Sequence, residues 1–118
     1  MAYVDGFVVP VPTGNRDAYI AMAEKAAPLF QEYGATRVVE CWSDDLPTGK
    51  VNDFRTAVIA EQNEVVVFSW IEWPDKATRD AGMAKMMEDP RLDPTLNPMP
   101  FDGARMIYGG FTPVVEIT

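Results

Sequence analysis

Histidine is absent from the sequence and cysteine occurs once, at Cys41. Without histidine, Ser-His-Asp and Cys-His catalysis, His-ligated haem and the commonest zinc sites are excluded together. A lone cysteine cannot close an internal disulfide and suits a reducing compartment, so a cytoplasmic location is expected. Basic residues are scarce. Ten Lys and Arg against eighteen Asp and Glu give a net charge of −8, which repels phosphate backbones and anionic lipid; neither nucleic acid nor membrane is expected as a partner. The longest largely apolar run, Val65 to Ile71, is far short of the roughly 20 residues that span a bilayer. The opening "MAYVDGFVVPVP" has no basic segment ahead of its apolar residues and does not match a signal peptide. Neither "TGNRD" nor "DGARM" has the glycine spacing of a nucleotide-binding loop. The Asp44-Asp45 pair is expected to be a solvated turn, and no cofactor or metal is called for.

What is present describes an ordinary globular chain. Hydrophobic residues make up 47% and charged residues 24% of 118, enough for one domain, residues 1–118, with a genuine core. "AYVDGFVVPV" predicts a first strand. In the next segment Tyr19, Met22, Ala23, Ala26, Phe30 and Tyr33 recur at helical spacing, with Thr13 or Asn15 to cap the start, Gly34 to stop it and Pro28 to kink or shorten it. "ATRVVECWSDD" predicts a second strand. Beyond it, Asp53 caps a short helical turn or Phe54–Ile59 extends a hairpin. "EVVVFSWIEW" is the third strand. A second helix starts at Asp75 and ends before Pro90, with Ala77, Ala81, Ala84 and Met87 on one side. A loop with prolines at 90, 94, 98 and 100 follows, of a length that often serves as a lid. "ARMIYGGFTPVVEI" supplies a fourth strand, with Gly109-Gly110 marking a bulge or a close backbone approach.

This β-α-β-β-α-β order predicts an α+β, ferredoxin-like βαββαβ fold: an antiparallel sheet with two helices on one face. The third strand poses a problem for that fold. Val65, Val67, Ser69, Ile71 and Trp73 fall on one side, and Val66, Phe68, Trp70 and Glu72 on the other. Both sides are apolar, and two helices cover only one. A second copy packed sheet against sheet is therefore expected, because burying one Trp and one Phe is worth about 4–6 kcal/mol before ordering costs.

The stretches "YVDGFVVPVP", "VECWSDD", "VVFSW" and, most specifically, "MPFDGARMIYGGF" resemble the YbaA-like family, a bacterial group of unknown function (DUF1428). The resemblance implies the dimeric α/β-barrel superfamily, in which two ferredoxin-like sheets close into one barrel. It implies no established activity. Superfamily members include cofactor-free oxygenases, isomerases and haem-using enzymes, the last disfavoured by the missing histidine.

Candidate site residues lie on the strands. Asp5, Glu40, Trp42, Trp70 and Tyr108, if they converge, form an aromatic-walled pocket with two carboxylates. Glu40 or Asp5 is then the general base, the tryptophans stack on a flat substrate, and Arg91 or Arg105 holds an anionic group. Structural alternatives stand beside each role. Glu40 pairs with Arg37 or Arg105, Asp5 ties down backbone, Asp89 clamps Arg91, and Cys41 is a small buried hydrophobe. A bulge at Gly109 would reverse part of the fourth strand. Three functions follow: a homodimer binding a small, partly aromatic molecule, a cofactor-independent oxygenase or isomerase, and a purely structural dimer.

Overall fold

The computed structural model describes residues 2–118. Strand β1 (Tyr3–Pro12) leads through a 3-10 turn into helix α1 (Arg16–Glu32), followed by β2 (Arg37–Trp42). A one-turn helix α2 (Phe54–Ala57) precedes β3 (Glu64–Trp73), helix α3 (Lys76–Glu88) and β4 (Ile107–Phe111). The sheet order is β2-β3-β1-β4 with every neighbouring pair antiparallel. That is the ferredoxin-like arrangement.

Local chemistry sets the boundaries. Asp53 and Asp75 cap α2 and α3 by accepting from the Thr56 and Thr78 amides, which settles the hairpin alternative at 54–59 in favour of a helical turn. Asn15 precedes α1 but its side chain does not cap it; the amide donates instead to the Pro100 carbonyl at 2.7 Å, tying α1 to the proline-rich loop. Pro28 does not shorten the helix: α1 continues through it to Glu32 and stops before Gly34, whose φ of 115° is left-handed. Pro10 lies inside β1 at a point where β4 has already ended opposite Val8, the one-sided setting in which a missing N–H is tolerated.

The helices pack on one face. Val9 and Val11 of β1 and Val67 of β3 meet Tyr19, Met22 and Ala23 of α1. Ile71 and Trp73 meet Phe30 of α1 and Met83 of α3. Helix α3 is rotated relative to its apolar stripe: Gly82 and Met86 are buried while Met87 is 90% exposed. The cause is Trp73, fully buried, whose indole occupies the space a side chain at Gly82 would need; a Cβ there would lie 2.6 Å from the ring. Register through β4 is continuous, with Gly6 opposite Gly109 and Asp5 opposite Gly110, so no bulge reverses the strand. The strand is shorter than expected, stopping at Phe111 because β1 begins at Tyr3.

Candidate functional site

Sheet register divides the sequence-predicted residues between two faces, and the single pocket built from all of them does not form. Asp5, Glu40, Trp42 and Tyr108 share the helix-covered parity, whereas Trp70, paired with Gly6 and Val39, is on the opposite face.

On the helix side Asp5 is buried and fully engaged. Its carboxylate accepts from the Trp73 indole at 2.9 Å and from Arg79 Nε at 3.1 and 3.2 Å. Arg79 in turn donates to the Tyr3 hydroxyl at 3.1 Å and lies 4.7 Å from that ring. Gly110 leaves room for this pair, because a Cβ there would lie 2.1 Å from both the Tyr3 hydroxyl and the Arg79 guanidinium and would displace them. With both oxygens held, Asp5 ties β1, β3 and α3 together, the structural role open to it in the sequence.

Glu40 pairs with neither Arg37 nor Arg105. It accepts a 2.6 Å hydrogen bond from the buried Tyr19 hydroxyl and sits opposite Ser69. One side of Glu40 is open to solvent, but its carboxylate lies against the protein. Loss of water there raises its pKa, an effect the Tyr19 and Ser69 hydrogen bonds oppose. Tyr19 is also pushed up, first by burial and then by its bond to Glu40. Phe101 and Trp42 flank the Tyr19 ring at 5.8 and 6.3 Å, and Arg16 stacks over Trp42 at 5.7 Å.

Both candidate anion-binding arginines are committed to ion pairs. Arg91 clamps Asp89, at 2.7 Å, and reaches Glu32 and Tyr33. Hydrogen bonds from Arg91 and Tyr33 hold the Asp89 carboxyl well below its usual range. Arg105 grips Glu64 with both terminal nitrogens, at 2.6 and 2.7 Å, while also donating to Asp102 and to the Ile59 carbonyl. Ile59 is held there at φ 54°, a strained conformation for a β-branched residue.

The opposite face carries an open groove of about 620 Å3. Val4, Val8, Phe68, Trp70, Ile107 and Phe111 form most of its surface, with Tyr108 at its β4 side, and Glu72 is its one charged lining residue among the described residues. The Trp70 indole donates to Glu72 at 2.9 Å, and Arg37 reaches the same carboxylate at 3.6 Å while lying 6.0 Å from the Trp70 ring. Polar chemistry is thus confined to one end. Gly6 and Gly109, adjacent in register, leave a hollow under the Phe111 ring, which lies 3.5 and 3.7 Å from where their Cβ atoms would be.

Of the predicted site residues this groove takes in Trp70 and is bordered along β4 by Tyr108, whose ring has the other parity and stacks with Phe7 at 6.3 Å. Trp42 instead helps to line a second hollow of about 360 Å3 with Cys41, Asp44 and Phe54. Val4, Val8, Ile107, Phe111 and Glu72 were not anticipated as groove residues. A signal existed in β1, whose even positions Val4, Gly6, Val8 and Pro10 are all apolar or small, matching the two-sided apolar character of β3.

Residues 2–103 match the family described as protein of unknown function (DUF1428). The chain belongs to that family. It is 63% identical over 116 residues to the uncharacterized protein YbaA of Escherichia coli strain K12, covering 98% of this chain and 99% of that one. The same figures hold for YbaA of Shigella flexneri. Among solved structures, a dimeric ferredoxin-like protein from an uncultured marine organism aligns with a TM-score of 0.65 at 13% identity, covering 99% of this chain and 100% of that one. An uncharacterized NIPSNAP domain protein from Burkholderia xenovorans aligns at 0.61 and 16% identity, covering 98% of each chain. At such identities the likeness is one of fold. No helix of the described residues is long and apolar enough to cross a membrane.

Proposed function

We propose that the chain acts as a cytoplasmic homodimer whose groove-bearing sheet faces close on one another and hold a small, partly aromatic molecule between them. The observation that carries this reading is the groove itself, apolar along its length and charged only at the Glu72 end. Left in water, such a face exposes Phe68, Ile107 and Phe111 at 43, 47 and 61%, the pattern of a contact surface rather than of a solvated one. A planar ligand would stack on Trp70 and Phe68, which lie 5.9 Å apart, and present a hydrogen-bonding group to Glu72 and Arg37. The ferredoxin-like protein from the marine organism is dimeric, which agrees with the proposal.

Sedimentation with an anilinonaphthalene sulfonate probe tests it. The parent should sediment at twice 13.1 kDa and quench tryptophan emission on adding the probe. Phe68→Asp, which places a charge at the centre of the contact, should sediment at 13.1 kDa. A parent monomeric at micromolar concentration overturns the proposal. A parent dimer that takes up no probe reduces it to a purely structural dimer.

A second reading, a cofactor-independent isomerase or oxygenase with Glu40 as general base, draws support from the 2.6 Å bond to Tyr19 and the raised Glu40 pKa. Glu40 and the groove are on opposite faces of the sheet, so the two readings separate. Carbon-detected NMR titration of Glu40 decides: a pKa at or below 4.5 removes the reason to regard it as a base.

A further inference from the structure

Register lays the groove face out as a grid of cross-strand rows. Glu72, Val4 and Phe111 form one row; Trp70, Gly6 and Gly109 form the next; Phe68, Val8 and Ile107 form the last, which is wholly apolar. The middle row has no side chain on β1 or β4, so its floor there is bare backbone. The Phe111 ring leans over that floor, 3.5 and 3.7 Å from the missing Cβ positions, and Trp70 rises beside it from β3. Both rings line the same cavity. A slot with an aromatic ring on either side suits a flat ring. Its charged neighbour, Glu72, is diagonal to Gly6, roughly 7–8 Å away along the sheet.

Glu72 differs from the buried carboxylates. Asp5, Glu64 and Asp89 are each gripped by an arginine, at 3.1, 2.6 and 2.7 Å. Glu72 has two side-chain contacts, the Trp70 indole at 2.9 Å and Arg37 at 3.6 Å, and both fall on Oε2. The second is too long for a hydrogen bond. Among the described residues no side chain donates to Oε1. Arg37 is 64% exposed and does not line the groove, so an anion entering the groove meets Glu72 instead. The net charge of −8 acts in the same direction.

We infer that the molecule held in the groove is an arylalkylamine. Its ring lies in the glycine-floored slot between Trp70 and Phe111, and its protonated amine donates to Glu72 Oε1. An ammonium has donors and no acceptor, which matches a carboxylate oxygen without a partner. The indole bond to Oε2 holds that carboxylate in place. An acid of the same shape would bury its ring equally but set its carboxylate against Glu72, and an alcohol would forgo the charge assistance. This rests on the groove reading above and adds the charge and shape of the ligand.

Isothermal titration calorimetry with naphthylethylamine, naphthylethanol and naphthylpropionate, on the parent and on Glu72→Gln, tests it. Circular dichroism and sedimentation establish that the variant folds and assembles as the parent does; glutamine keeps an oxygen for the Trp70 indole. The amine should bind the parent about ten-fold more tightly than the alcohol or the acid. Glu72→Gln should abolish that advantage and leave the alcohol's affinity unchanged. Carboxyl-carbon NMR of the parent gives a readout independent of the variant: the Glu72 signal should move on adding the amine and stay in place with the alcohol. Equal binding of amine and alcohol, tighter binding of the acid, an amine preference that survives in Glu72→Gln, or an unmoved Glu72 signal overturns the inference and leaves the groove reading standing. Uptake of none of the three compounds overturns the groove reading as well.

Discussion

Replacing Arg105 by Gln should destabilise the fold more than any loss of surface charge would. Arg105 holds Glu64 through two short bonds, and the two side chains are 19 and 5% exposed. Removing one partner of a buried pair costs about 3–5 kcal/mol because the remaining charge is stranded. The partial exposure of Arg105 brings this pair below that range, to about 2–3 kcal/mol. At about 4 °C per kcal/mol for a chain of this size, the melting temperature should fall by about 8–12 °C. The loss should depend on pH with a definite sign. Arg105 holds the Glu64 carboxyl below its usual range, so the pair's contribution is complete above a pH of about 4.5 and disappears as pH falls through the lowered value. Urea denaturation followed by circular dichroism should thus show the parent and Arg105→Gln far apart at pH 7 and converging toward pH 3. A double-mutant cycle with Glu64→Gln isolates the coupling. If Arg105→Gln melts with the parent at pH 7, the pair is a solvated contact, and Arg105 becomes available again as an anion-binding residue.

Two further perturbations separate structure from chemistry. Gly82→Ala would gain about 1 kcal/mol of helix propensity but places a Cβ 2.6 Å from the Trp73 ring and 2.7 Å from the Tyr33 carbonyl. Overpacking of about 1–3 kcal/mol should win, so thermal melting should drop by several degrees, while Gly14→Ala, with open space around it, should not. Glu40→Gln should act in the opposite sense to the Arg105 change. A raised folded-state pKa means that Glu40 favours folding below its ordinary value of 4.5 and loses that contribution as pH rises through the raised value. The Gln variant should therefore match the parent near pH 4 and exceed it in urea resistance at pH 7; a variant weaker than the parent at pH 7 would show the ionised carboxylate to be stabilising.

The element order and sheet were legible because periodicity and turn chemistry are local. Val/aromatic runs, Asp53, Asp75 and Gly34 each act within a few residues of the boundary they set. The two-sided apolar character of β3 was legible for the same reason. What escaped was decided by pairs far apart in the chain. Trp70 could be joined to Asp5 and Glu40 only while registers were unknown; once Gly6 is opposite Trp70 and Asp5 opposite Ile71, they part. Likewise the rotation of α3 answers to Trp73, and nothing in the alanine stripe encodes that indole's position. Glu64 and Arg105 are 41 residues apart, beyond any spacing argument.

The resulting molecule distributes polarity in an unusual way. Its enclosed side holds Asp5, Ser69 and Asp89, and Glu64 is buried at the start of β3 on the other parity, each carboxylate matched by an arginine or a ring hydroxyl or indole. No buried side-chain polar atom among the described residues lacks a partner. The open side holds Phe68, Ile107 and Phe111. A monomer selected to live alone would reverse this, because an ion pair costs desolvation inside and an aromatic ring costs hydration outside. The buried polar groups cross-link β1, β3, α3 and the loop segments. A rigid sheet makes its free face a fixed template, with paired glycines hollowing it under Phe111. Such a template serves recognition, either of a second copy alone or of a second copy with a flat molecule held between. The inversion of polarity across the sheet, more than any single carboxylate, is therefore the physical basis for placing function on the groove face.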